Sequence, residues 1–240
     1  MRSVVDTHSH ILPGIDDGSA SVSESLELLR LEAQQGVRHI LATPHFYPQQ
    51  DKPHRFLKRR EEAVEALRST MAENAVKMDI SVGAEVYYYP GISNSEELSQ
   101  LTLGKSRYIL IEMPFTAWTS RMYKDLEEIR AKQGLTPIVA HVDRYLGVFR
   151  THGIPDALEN LPVLVQANAG FFTGRFTAKT ALRMLSREQI HLLGSDCHNL
   201  KDRKPNLGAA VEVIEKKLGE QALSWLRYNE DRILTKMVKL

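Results

Sequence analysis

What constrains this chain most is a repeated alternation of short apolar runs with longer amphipathic stretches. The runs lie at 3–7, 39–43, 79–83, 108–111, 137–140, 163–167 and 191–194 and are rich in Val, Ile and Leu. Such runs mark strands buried on both faces. Helical periodicity fills the gaps at 23–35, about 56–73, 122–133, 178–185, 207–218 and 220–228. In the first of these, Leu26, Leu29 and Ala33 are the apolar positions, Ser21 or Ser23 is the cap and Gly36 the stop. Strands regularly separated by helices pair in parallel through right-handed crossovers. Seven of them predict an α/β fold closed, or nearly closed, into a TIM-like barrel. An open doubly wound sheet has the same periodicity and is the alternative. With no Ser/Gly/Pro-rich linker, low-complexity tract or repeat, residues 1–240 read as one domain.

In a barrel of this kind reactive groups sit where strands end and loops begin, and the candidate ligands fall there. The first strand runs into Asp6-Thr7-His8-Ser9-His10, followed by Asp16-Asp17-Gly18. The second ends at Thr43-Pro44-His45, the third at Gly83-Ala84-Glu85 and the fourth at Glu112-Met113-Pro114. The fifth delivers Ala140-His141-Val142-Asp143-Arg144-Tyr145 and the seventh Ser195-Asp196-Cys197-His198-Asn199. Residues two apart on an extended segment point the same way, so His8 with His10, and Asp196 with His198, can each chelate from one strand end. Imidazoles mixed with carboxylates suit Mn, Fe or Zn. The set His8, His10, Asp17, His45, Glu85, Glu112, His141, Asp196 and His198 exceeds the need of one ion. It would serve two or three, with a carboxylate such as Glu85 bridging. Singly, each motif has an ordinary structural reading; their succession along the strand ends points to a metal centre.

Arg144 and Arg203 each lie close to a proposed ligand in sequence, and a guanidinium holds phosphate in a bidentate fork. A structural ion pair is the other reading of each. The basic run from His54 to Arg60 reads as a solvated helix start, or as Arg55 or Lys58 drawing an anionic substrate toward the loop after His45. His39 and His191 open strands at the far end and read as structural or solvated; His152 has no partner signal. With 31 Lys+Arg against 30 Asp+Glu, a formal charge of +1 gives no support to nucleic-acid or anionic-membrane binding. The single cysteine, Cys197, excludes an intramolecular disulfide and a thiolate zinc cluster and fits a reducing cytoplasm. The first ten residues lack the apolar core of a signal peptide, and no stretch approaches the ~20 apolar residues of a membrane span. A soluble cytoplasmic protein is expected.

At these residues the sequence resembles the polymerase-and-histidinol-phosphatase (PHP) superfamily. Within it, the likeness is to the bacterial capsule/exopolysaccharide manganese-dependent tyrosine-protein phosphatases. It covers nearly the whole chain and is carried by Asp6-Thr7-His8-Ser9-His10, Asp16-Asp17-Gly18, Gly83-Ala84-Glu85-Val86-Tyr87-Tyr88, Ala140-His141 with Arg144-Tyr145, and Ser195-Asp196-Cys197-His198-Asn199. The resemblance implies a distorted seven-stranded (β/α)7 barrel of PHP type with a trinuclear, usually manganese-activated centre. It implies His8, His10, Glu85 and Asp196 around one ion, and Glu85 bridging to a second with Glu112 and His141. Asp17, His45 and His198 would hold the third, and Arg144 and Arg203 fall where the family binds phosphate. Two departures bear on substrate preference: Phe46-Tyr47-Pro48 replaces an Arg-rich loop, and Lys204 follows Arg203 where proline is usual.

The expected reaction is phosphomonoester hydrolysis, a metal-bound hydroxide attacking phosphorus in line while metals and arginines stabilise the phosphoryl oxygens. His45, His198 and Asp17 are all open as the acid. By resemblance, the substrate would be the phosphotyrosine tail of a bacterial tyrosine kinase that regulates polysaccharide export. Three rivals stand beside this. Cys197 and Arg203 form a C-x5-R match to cysteine-dependent phosphatases, although the loop between them has no glycine and contains Asp202. A PHP phosphatase for a small metabolite such as histidinol phosphate would use the same ions. A non-catalytic scaffold would keep the fold alone.

Overall fold

The computed structural model of the chain describes residues 4–146 and 153–235, so His152 lies outside the described residues. Strand β1 (Val4–Ser9) leads through helix α1 (Val22–Gln34) to β2 (Val37–Ala42) and β3 (His45–Phe46). Then come α2 (Pro53–Glu73), β4 (Asp79–Val82), β5 (Glu85–Tyr87), β6 (Tyr108–Glu112), α3 (Ser120–Gln133) and β7 (Thr136–Val139). The chain continues with α4 (Ile154–Glu159), β8 (Leu164–Asn168), α5 (Gly170–Thr173), α6 (Ala178–Ser186), β9 (Leu192–Gly194), α7 (Leu207–Leu218) and α8 (Glu220–Leu234). Ser21 is the residue that caps α1, its side chain accepting from Glu24 N at 3.2 Å.

Every strand pair is parallel, in the orders β1-β2-β4 and β3-β5-β6-β7-β8-β9. All seven expected runs form strands, but the described residues hold nine short strands in two sheets instead of seven in one. The reason lies in the second and third runs. Pro44, which has no N–H to donate, separates β2 from β3, and Gly83-Ala84 separates β4 from β5. Gly83 N still donates to Ala42 O at 2.9 Å and Glu85 N to Pro44 O at 3.0 Å, so contact persists across both breaks. The sheet curls until its first strand meets the segment after its last: Asp196 N donates to His8 O at 2.8 Å and His10 N to Cys197 O at 2.9 Å. Helices α4 and α5, six and four residues long, show no period because neither completes two turns.

Alternation along the strands sorts side chains into two apolar layers. Leu41, Leu110, Ile138, Leu164 and Leu192 face the inside of the curl, with Ile233 of α8 packed among them. Ile40, Ile109, Ile111, Val139, Val165 and Leu193 face the helices. That packing explains why α8 runs on to Leu234 through the polar stretch after Tyr228: Asn229 and Glu230 are buried there. The apolar floor fills one end of the curl and leaves the C-terminal strand ends free for polar groups. No helix among the described residues is long and apolar enough to cross a membrane.

Candidate metal centre

The period of two that places Leu110 inward also places Glu112 on the same face, two residues further along the strand. Leu41 and His45 share a parity in the same way. Strict alternation would send His141 outward with Val139, yet its backbone is left-handed, φ 32°, and the turn brings its Nε2 to 2.7 Å from Glu85 Oε1. Asp196 is likewise left-handed, φ 53°. Non-glycine residues held there cost on the order of 1–3 kcal/mol and persist only where their surroundings fix them. Two glycines let the backbone close around these groups. A Cβ on Gly194 would lie 2.5 Å from His8 Cβ and 2.7 Å from Gln166 Nε2, and one on Gly18 would lie 2.3 Å from His10 O.

All nine proposed ligands lie together. His8 Nε2 and His10 Nε2 are 3.1 Å apart, each 3.2 Å from Glu85 Oε2, and 3.6 and 3.5 Å from Asp196 Oδ1. His45 Nδ1 stands 3.0 Å from Glu85 Oε2 and 3.8 Å from Glu112 Oε2, while its Nε2 faces Asp17 Oδ1 at 3.6 Å. His198 Nε2 is 3.4 Å from the same Asp17 oxygen. Three overlapping groups thus share donors: His8, His10 and Glu85; His45, Glu85 and Glu112; and His10, Asp17, His45 and His198. Within each, the donor atoms all fall within 4.8 Å of one another. His10 sits between the first and last groups, and His45 between the last two.

The donors fit a cation. His8 Nδ1 donates to Gln166 Oε1 at 3.3 Å and His10 Nδ1 donates to Asp16 Oδ2 at 2.8 Å. In the neutral rings both Nε2 lone pairs therefore point at each other and at Glu85, an arrangement that demands positive charge between them. Proton affinities register the demand. Burial alone would lower His10, but Asp16 and Glu85 outweigh it and push it up to about 10. Burial favours the neutral form of Asp196, and His8 and His10 overturn it, holding the acid below its ordinary range. Glu112 goes the other way, to about 7, because burial and then the Glu85 charge oppose its ionisation. His45 is pushed down to about 4, chiefly by burial. Among the described residues, His45 Nδ1, Glu85 Oε2 and His198 Nε2 are buried without a hydrogen-bond partner.

Arg144 and Arg203 stand at the rim, 28% and 34% exposed, and both engage Asp196. Arg203 reaches Oδ1 at 2.8 Å, and Arg144 donates to Oδ2. Other residues escaped assignment in the sequence. Asp16 orients His10 and accepts from His45 N at 2.9 Å. Gln166 accepts from His141 N at 2.6 Å, and Asn168 donates to Asp196 Oδ2 at 2.9 Å. Asp6 clamps Ser195 through its N–H at 2.8 Å and hydroxyl at 2.6 Å, tying the two ligand-bearing chain ends together. Their signal was the polar alternation of Gln166 and Asn168 on an otherwise apolar strand, and the acids beside the histidine pair.

The other singled-out residues separate cleanly. Cys197 is fully buried, and burial, then Glu32 and Asp6, push its thiol well above the ordinary range. The C-x5-R match therefore does not make a thiolate nucleophile. His39 is buried and bonds Ser81 Oγ at 2.9 Å, and His191 Nδ1 accepts from Val165 N at 3.1 Å; both are structural. His54, Arg55 and Lys58 are exposed at the start of α2, but Arg60 corrects the reading of a wholly solvated run: it donates to Gly83 O at 2.7 Å.

Residues 4–235 match the family described as capsular polysaccharide synthesis, CpsB/CapC. The chain belongs to this family. It is 33% identical to tyrosine-protein phosphatase CpsB of Streptococcus pneumoniae over 231 residues, 90% of this chain and 91% of the relative. It is 29% identical to tyrosine-protein phosphatase YwqE of Bacillus subtilis over 238 residues, 96% of this chain and 91% of the relative. A crystal structure from work on YwqE and CpsB, described as unique metal-dependent tyrosine phosphatases, superposes with a TM-score of 0.86 at 27% identity. That match covers 99% of this chain and 96% of the other.

Proposed function

We propose that this chain is a metal-dependent phosphoric monoester hydrolase acting on phosphotyrosine in proteins, built as one PHP-type domain over residues 1–240. The observation that carries the reading is the convergence of unpartnered His45 Nδ1, Glu85 Oε2 and His198 Nε2 inside a nine-donor cluster rimmed by two arginines. Counting β2 with β3 and β4 with β5 as interrupted strands gives a distorted (β/α)7 barrel with this cluster at its mouth. The residues suit two or three divalent ions, manganese first and iron or zinc as alternatives. When bound, such ions acidify water and polarise phosphoryl oxygens. His8, His10, Glu85 and Asp196 would hold one, Glu85 with Glu112 and His141 a second, and Asp17, His45 and His198 a third.

The remaining chemistry falls to the chain itself. Arg144 and Arg203 are exposed enough to offer N–H groups to a phosphoryl group beside Asp196, stabilising charge that grows in the transition state. His45 and His198 flank the exposed Asp17, on the open side from which a leaving group departs. A tyrosine phenolate, with a phenol pKa of about 10, needs less protonation on leaving than an alkoxide. The relatives' names support phosphotyrosine protein as the substrate, and the family description supports capsule synthesis as the setting. The tail of a bacterial tyrosine kinase in the cytoplasm meets both requirements. Protein stripped with EDTA and reloaded with Mn should regain aryl phosphate turnover; no gain would sink the proposal. A panel of phosphotyrosine peptides against histidinol phosphate separates it from the small-metabolite reading.

A further inference from the structure

Beside the metal centre lies a cavity of about 700 Å³ lined by Asp17 and His45 together with Tyr47, Arg55 and Arg59. One aromatic ring, Tyr47, lines it next to His45. The Tyr47 ring stacks on His45 with centroids 5.0 Å apart, and Tyr87 stands 5.6 Å beyond. The acids around the cavity already have partners. Asp16 is held by His10 and by the His45 amide, Asp17 faces His45 and His198, and Asp51 pairs with Arg59 at 2.7 Å. Arg55, exposed in the first turn of α2, has no ion pair among the described residues. One cavity thus joins Asp17 and His45 of the metal centre to the Tyr47 ring and an uncommitted guanidinium.

We propose that this cavity seats the phosphorylated aromatic side chain together with the peptide around it, the ring against Tyr47 and an acidic residue of the substrate on Arg55. The inference rests on the hydrolase reading above and narrows its substrate to phosphotyrosine in an acidic sequence. An aromatic ring gains from offset or tilted packing on another ring, and an alkyl phosphate has no such face to offer. An aspartate or glutamate near the phosphotyrosine gains a charge-assisted contact at Arg55 that neutral neighbours lack.

Turnover of a small aryl phosphate by Mn-loaded wild-type protein first establishes the hydrolase; its absence defeats that reading and not the shape of the cavity. Phosphotyrosine peptides flanked by Asp, Ala or Lys are then compared by kcat/KM. Binding of matching non-hydrolysable phosphonate peptides is read by fluorescence anisotropy. The Asp peptide should lead the Ala peptide by about fivefold, the size of an exposed ion pair, and the lead should shrink as salt rises. Arg55→Glu should invert the order in both kcat/KM and Kd. Tyr47→Leu should raise KM for an aryl phosphate about tenfold relative to an alkyl phosphate, with Tyr47→Phe restoring it. Equal Kd for Asp and Ala peptides, an order that survives Arg55→Glu, or a Tyr47→Leu effect equal for aryl and alkyl esters would each overturn the proposal.

Discussion

Asp16 is not one of the nine donors, yet replacing it tests the whole centre. Its carboxylate accepts from His10 Nδ1 at 2.8 Å, His45 N at 2.9 Å and Gly18 N at 3.0 Å. One carboxylate therefore aims the imidazole that lies 3.2 Å from Glu85 and 3.5 Å from Asp196, and also anchors the backbone that carries His45. Asp16→Asn keeps the shape but removes the charge and one acceptor oxygen, so one of the three donors must face an amide N–H. Losing an outer partner of a metal-bound histidine costs about 10- to 100-fold in metal affinity, or about 1.4–2.7 kcal/mol. The assay is aryl phosphate turnover against free Mn, paired with competition by a chelator of known affinity and circular dichroism to verify folding. Half-saturation should move to 10- to 100-fold higher Mn, while turnover at saturating metal stays within a few-fold of wild type. A folded variant with unchanged half-saturation would show that His10 is not aimed by Asp16, and the tautomer argument for the cluster would fail with it.

Further outcomes follow from groups elsewhere in the molecule. Cys197→Ser should keep Mn content and hold turnover within about threefold; folded, metal-loaded protein that lost activity would reinstate the thiol route. Arg203→Lys and Arg144→Lys should each lower kcat/KM by about 100-fold, the scale of one lost transition-state donor, without changing metal content by elemental analysis. Glu230, buried in α8, is pushed up from 4.5 to about 8 by burial and then by Asp231. Folding therefore takes up a proton between those values: the group's contribution is full below about 4.5 and is lost as pH rises through about 8. Over that window wild-type stability should fall by roughly 5 kcal/mol more than that of Glu230→Gln. Urea unfolding of both proteins at pH 5 and pH 8.5 measures it, and parallel slopes would refute it.

The strand ends were legible because metal chemistry needs histidines and carboxylates in places where a buried parallel sheet otherwise supplies only apolar residues. What stayed hidden was orientation. His141 was found by its position after an apolar run, but alternation alone points it at the helices; the left-handed turn that redirects it, φ 32°, is a property of folded backbone. The sixth run gave no imidazole or carboxylate, so it was silent as a ligand source. Gln166 in that run and Asn168 just after it nevertheless hold His8, His141 and Asp196 in place, and an amide on a strand carries no charge signature to announce that work. Cys197 shows the converse. Five residues separate it from Arg203 in sequence, a spacing that suits a phosphate loop, but Ser195 and Asp6 hold its segment so that the thiol lies buried near Glu32 while Arg203 turns to Asp196. Spacing fixes which groups can meet; the hydrogen bonds of the uncharged and outer residues decide which of them do. Substitutions at Asp16, Gln166 and Asn168 should therefore disturb metal binding as much as those at several of the donors themselves.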